Sequence, residues 1–216
     1  MSQFMYLDIE VENKPWFGAV ASPRHPENYL VLNGWAVGNG PIEYLYNRDK
    51  AEADTRPWLV IPDDVSCIVC HNSPFELDWM LHQQRDIVMA FLKRGGRFLC
   101  TAYAHYLLSN QRDTYPALNE TAPLYGGQHK VDGVKALWEA GKLTSEIDPA
   151  LLLEYLISPT QGDVANTRTM FLAQWQMLQE RGMLEMFLER CEGMGFDTFA
   201  MDAGLFIDKA VAEKQR

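Results

Sequence analysis

CIVCHNSPFELDW, residues 67–79, admits two incompatible readings. Cys67, Cys70 and His71 spell C-x-x-C-H, the letters of a c-type haem attachment site and close to those of a thiol redox pair. The flanks decide the local structure. Val65 to Cys70 is a short uninterrupted apolar run behind Pro62-Asp63-Asp64, the pattern of a strand buried on both faces. Leu77 to Lys93 then reads as a helix ended by Arg94-Gly95-Gly96. In a strand, residues three apart face opposite sides, so Cys67 and Cys70 cannot readily share one ligand. No second C-x-x-C or H-x-x-x-H supplies the other half of a zinc site. The stretch is a buried β-strand running into a helix, with two small thiols and no haem.

Outward from this junction the chain reads as α/β. Residues 4–12, FMYLDIEVE, alternate: Met5, Leu7, Ile9 and Val11 on one face, Tyr6, Asp8, Glu10 and Glu12 on the other. Residues 17–21, 30–37 and 42–46 look like further strands, with Asn39-Gly40 as a turn, and Phe98 to Cys100 reads as another buried strand. Helical patterns cover 102–109, 132–140, 149–156, 163–180 and 183–191. In 163–180, Val164, Phe171, Trp175 and Leu178 share one face. This order predicts a mixed β-sheet flanked by helices in a single domain, with a polar, frayed tail at 210–216.

The bulk numbers fit one such domain. The chain has 216 residues, 47% of them hydrophobic, enough for a full core. No apolar run approaches the roughly 20 residues of a membrane span, and MSQFMYLDIEVEN has no basic leader. A cytoplasmic, reduced protein with four free cysteines and no membrane partner is expected. The formal charge of −10 gives no long-range attraction for nucleic acid, but a site that gathers carboxylates around cations changes sign when they bind.

Those carboxylates occur in three places. Asp8 and Glu10 leave the same face of the first strand, about 7 Å apart along it. Glu76 and Asp78 lie where a buried strand meets a helix, the kind of strand end at which α/β ligand sites form. With Ser158 as N-cap and Pro159 opening the helix, Asp163 falls in the second turn. Hard divalent cations take such oxygen ligands. The plain alternative for Asp8-Ile9-Glu10 is a solvated acidic face, which Glu12 would continue.

The set resembles a known family. D-I-E at 8–10, H-N-S-P-F-E at 71–76 and G-D-V-A-N-T at 162–167 are similar, in order and spacing, to the three exonuclease motifs of the DEDD superfamily. The likeness is closest to the 3′→5′ proofreading domain of bacteriophage-type family A DNA polymerases. Y-P-A-L-N-E-T-A-P-L-Y-G-G at 115–127 resembles the segment leading into the third motif. M-D-A-G-L-F-I-D at 201–208 resembles the start of the polymerase linker. The resemblance implies an RNase H-like exonuclease domain over 1–195 and a C-terminal extension over 196–216. It implies two Mg²⁺ or Mn²⁺ ions held by Asp8, Glu10, Glu76 and Asp163, with Asp8 bridging both. Asn72 and Phe75 would shape the pocket for the 3′ end. The implied reaction is hydrolysis of terminal phosphodiesters of single-stranded DNA to nucleoside 5′-monophosphates. A DNA polymerase chain or domain is the implied partner.

Two positions depart from the family. Glu76 stands where the second motif has Asp, with Asp78 as a candidate substitute. Ser158 and Pro159 stand where the third motif carries His or Tyr to orient the water, and Tyr155 and His71 are the candidate replacements. This second departure motivates one alternative, a catalytically weak or silent module that binds DNA or a polymerase. A ribonuclease of the same superfamily is the other. Elsewhere, Arg168 is a candidate phosphate contact, Lys130 and Lys135 could steer a strand, and Trp16, Phe17, Trp35 and Trp58 could stack bases or pack in the core.

Overall fold

The structure is a computed structural model that describes residues 3–114, 117–129, 133–204 and 208–214. Five strands form one sheet: β1 (Gln3–Val11), β2 (Leu30–Val37), β3 (Glu43–Tyr46), β4 (Val65–Cys70) and β5 (Arg97–Cys100), in the order β3-β2-β1-β4-β5. β1 and β2, and β2 and β3, are antiparallel, whereas β4 lies parallel to both β1 and β5. The helices are α1 (Lys50–Ala53), α2 (Ser73–Lys93), α3 (Thr101–Leu108), α4 (Leu118–Thr121), α5 (Gly133–Glu139), α6 (Pro149–Ile157), α7 (Asp163–Glu180), α8 (Leu184–Ala203) and α9 (Lys209–Lys214). This is the mixed sheet flanked by helices that the sequence predicts, and its topology is RNase H-like.

The alternation in β1 divides the core. Met5, Leu7, Ile9 and Val11 pack with Ile68 and Cys70 against Leu77, Met80, Leu81, Val88 and Phe91 of α2. Tyr6, Leu32, Cys67 and Val69 pack on the other face with Leu156 of α6 and Val164 and Phe171 of α7. Cys67 and Cys70 thus face opposite sides of the sheet. Phe171 is fully buried and meets Phe4 edge-on at 5.0 Å and Tyr6 at 6.0 Å. Truncating it to Ala should cost about 3–5 kcal/mol.

Several expected boundaries move. Residues 17–21 are not a strand. Trp16 and Ala19 exchange backbone hydrogen bonds of 2.7 and 2.9 Å across Phe17 and Gly18, both at positive φ, so the segment closes on itself. α2 begins at Ser73, four residues before the predicted start, because Pro74 fits the first turn and Asn72 takes the left-handed conformation (φ 67°) that Asn tolerates. The expected 183–191 helix runs on unbroken to Ala203, through position 195/196.

α8 packs along β5 and ends beside the N-terminal loop. There Arg24 makes a two-pronged contact with Asp78 at 2.8 and 2.9 Å and reaches Asp202 at 3.3 Å, while Arg85 also pairs with Asp202. Among the described residues no helix is long and apolar enough to cross a membrane. Lys130, the predicted helix start at Asp132, Tyr115-Pro116 and Leu205-Phe206-Ile207 lie outside the described residues, as does the end of the tail at 215–216.

Candidate active site

β1 places Asp8 and Glu10 on the face covered by α6 and α7. Two glycines let those helices come close. Gly34 lies directly across from Asp8 in β2, and a Cβ there would sit 2.9 Å from Ile157 Cγ2, 3.0 Å from Val164 Cγ2 and 3.1 Å from Leu156 Cδ2. Gly162 closes the α6–α7 corner, its amide donating to Ser158 O at 3.0 Å, and a Cβ would meet Ser158 N at 2.6 Å. The corner corrects the predicted start of α7. Ser158 caps the end of α6, Gly162 is the N-cap of α7, and Asp163 is the first helical residue rather than one in the second turn. Its carboxylate therefore lies at the positive end of the helix dipole.

Asp8, Glu10 and Asp163 each offer a carboxylate oxygen, and these oxygens lie within 4.8 Å of one another. Glu76 comes from the opposite layer, in the first turn of α2, and is 2% exposed. Burial, then the neighbouring Asp8 carboxylate with which it shares a hydrogen bond, pushes its carboxyl well above the usual carboxylate range. Its Oε2 has no hydrogen-bond partner among the described residues. An orphaned buried oxygen beside three clustered carboxylates fits a hard divalent cation, which takes oxygen ligands and removes the mutual repulsion. The Cys70 thiol is driven up strongly by burial, then by Glu76 and Asp8, so it stays neutral.

The carboxylates floor a cleft of about 420 Å³. Asn72 and Phe75 line it from the start of α2, Leu118 and Asn119 from α4, Lys135 and Trp138 from α5, and Tyr155 from α6. The Tyr155 ring stands edge-on to Trp138 at 5.7 Å and 88°. Asn166 fixes the segment beyond α4, accepting from Gln128 N at 2.8 Å and donating to Gln128 O at 3.1 Å.

Other sequence candidates lie elsewhere. Asp78 is bound to Arg24 and does not line the cleft, so Glu76 is the carboxylate that reaches Asp8. Glu12 is not part of a solvated acidic face. It is 2% exposed and accepts from Thr144 N at 3.1 Å, which ties β1 to the connection between α5 and α6. Arg168 does not reach the cleft. It is five positions past Asp163 and donates to Gly40 O at 2.9 Å. His71 lines the cleft wall, with Nδ1 2.9 Å from Thr101 Oγ1. Trp58 is core at 5% exposure. Trp138 has no distinguishing signal in the sequence, and Lys135, a candidate for steering a strand, lies in the short helix α5 and lines the cleft.

No protein-family model matches the chain, and no curated protein matches it significantly. Solved structures do. Brucella melitensis NrnC with bound Mg²⁺ is 16% identical with a TM-score of 0.61, over 90% of this chain and 83% of that one. NrnC bound to pGG gives 16% and 0.60, over 90% and 82%. A structure described as the apo form of the nuclease gives 15% and 0.61, over 95% and 89%. At these identities the likeness shows the fold: nearly the whole chain adopts the architecture of these proteins.

Proposed function

We propose that this chain is a metal-dependent 3′→5′ exonuclease of the DEDD type, with Asp8, Glu10, Glu76 and Asp163 as its cation ligands. The observation that carries the proposal is the convergence of Asp8, Glu10 and Asp163 within 4.8 Å, with the buried Glu76 carboxyl against Asp8 and its Oε2 without a hydrogen-bond partner among the described residues. Four acids from three separate segments meet at a cost that a bound cation would relieve. When bound, a pair of Mg²⁺ or Mn²⁺ ions supplies Lewis acidity and charge neutralisation at a scissile phosphodiester.

The chain's own groups do the rest. Asn72 and Phe75 receive the terminal nucleotide. Lys135, the cation among the lining residues, offsets the phosphate charge that the floor carboxylates repel. Tyr155 and His71 both line the cleft, and the Tyr155 hydroxyl takes the water-orienting role for which Ser158 and Pro159 supply no group. The substrate in this reading is the 3′ end of single-stranded DNA, released as nucleoside 5′-monophosphates in a proofreading setting. Residues 1–195 carry the chemistry and 196–216 lead toward a polymerase. The likeness of 115–127 and 201–208 to the proofreading domain and its linker supports DNA, whereas the pGG bound by NrnC makes RNA the necessary comparison.

One observation favours a second reading. Ser158 and Pro159 close the end of α6 and supply no acid–base group, which suits a module that binds without cutting. Incubating the purified chain with 5′-labelled single-stranded DNA and RNA, in Mg²⁺ or Mn²⁺, separates the readings. Stepwise shortening from the 3′ end, abolished by Asp163→Asn, is expected. Binding with no shortening in either metal would leave the silent module standing.

A further inference from the structure

Past β1 the chain forms a loop, residues 13–28, tipped by an aromatic turn. Phe17 is 93% exposed, in a left-handed conformation (φ 46°) that a bulky residue rarely adopts. The turn is rigid. Asn28, 2% exposed, accepts from Lys14 N at 3.0 Å and donates to Lys14 O and Ser22 O at 2.9 and 3.0 Å. Behind Phe17 stands Trp16, edge-on at 4.8 Å, and behind Trp16 stands His25 at 5.5 Å. A well-braced pile of rings thus presents its outermost member to solvent. Strain held by surrounding structure is found at ligand clamps more often than at idle surface.

The loop's attachments place it beside the cleft. One foot leaves β1 three residues after Glu10, where Asn13 donates to Lys142 O at 3.2 Å. The other lies on α2, where Trp79 Nε1 donates to Ala21 O at 3.1 Å and Arg24 holds Asp78. Phe75 and Glu76, which line the cleft, lie one turn earlier on that helix. The loop therefore starts at the end of β1 that carries Glu10 and is fastened at the first turns of α2, the helix that brings Phe75 and Glu76 to the cleft.

We infer that Phe17 is a stacking platform for a base of the single-stranded polynucleotide, upstream of the terminal nucleotide held in the cleft; this rests on the exonuclease reading above. Stacking tolerates every base and needs no positive charge, which suits a chain of net charge −10. A single ring on a four-residue tip matches one base and is far too small for a stable protein interface, which needs about 800 Å² per partner.

The test is fluorescence anisotropy with 5′-labelled thymidine oligomers of two and eight nucleotides, with Ca²⁺ in place of Mg²⁺ to restrain hydrolysis. Phe17→Ala should weaken the eight-mer about tenfold and leave the two-mer within about twofold. Phe17→Trp should retain the affinity. Phe17→Asn, which tolerates the backbone, should raise Tm while weakening the eight-mer. Equal eight-mer affinity for wild type and Phe17→Ala, or parallel loss on both oligomers, would overturn the inference and leave the exonuclease reading intact. Failure of the wild type to bind either oligomer would overturn that reading and this inference with it.

Discussion

Gly34→Ala tests whether the proposed metal site depends on how closely the helices approach the sheet. The new methyl would sit 2.9–3.1 Å from carbons of Ile157, Val164 and Leu156, on either side of the α6–α7 corner. Ordinary carbon contact begins near 3.5 Å, so the corner must retreat by about 0.4–0.6 Å. The overpacking should cost about 1–3 kcal/mol, which lowers Tm by about 2–12 °C in a domain of this size. The larger effect is on Asp163, which moves with the corner while Asp8 and Glu10 stay in β1. Metal–ligand distances tolerate only about 0.2 Å, so the carboxylate leaves the cation's reach. We expect the Mg²⁺-dependent rise in Tm to vanish and exonuclease turnover to fall about 100-fold. Thermal denaturation with and without Mg²⁺, run beside a single-turnover assay, gives both readouts. A variant that is merely less stable, with the full Mg²⁺ shift and the wild-type rate, would refute the link between helix approach and site geometry.

Three other outcomes follow from the cleft. In chelator, the elevated Glu76 carboxyl makes the folded chain hold its proton more tightly than the unfolded chain does. This contribution to stability is complete below the ordinary carboxylate pKa of about 4.3 and is lost as pH rises toward the raised folded value. Glu76→Gln should flatten that part of the Tm–pH curve, and superimposable curves would contradict it. Because a cation needs the deprotonated form, the Tm gained by wild type from Mg²⁺ should grow with pH over the same interval. Tyr155→Phe should lower kcat about 100-fold with KM little changed, as loss of a water-orienting hydroxyl requires; an unchanged kcat would remove Tyr155 from the chemistry. Lys135→Met should raise KM and flatten its salt dependence, measured from 50 to 200 mM salt, while Lys135→Arg retains most of both.

The elements most legible in the sequence are those whose pattern is set by the sheet. β2 and β4 lie where the apolar runs put them, and the alternation in β1 separates two cores because side chains alternate across any strand. Convergence of Asp8, Glu10 and Asp163 in space was legible in outline, since Asp8 and Glu10 leave one face of a strand and Asp163 sits near the start of a helix. The finer placement was hidden because it depends on partners distant in sequence. Glu12 reads as one more exposed acid until Thr144, 132 positions away, donates to it. Asp78 competes with Glu76 on paper until Arg24 claims it. Ser158-Pro159 is a good helix opening by local rules, yet the tight Gly162 corner delays α7 to Asp163. Residues 17–21 read as strand by composition, but two consecutive positive-φ residues, Phe17 and Gly18, fold the segment back on itself.

The charged contacts around Arg24 bear on where the folding unit stops. Arg24 and Arg85 both anchor Asp202, and Arg85 also covers Phe199 at 5.9 Å. A chain cut after residue 195 would shed all of those partners and leave Arg24 with Asp78 as its one acidic contact among the described residues. The last turns of α8 therefore share with α2 the holding of the loop between β1 and β2, so that loop and the far end of the fold are fastened through one pair of arginines.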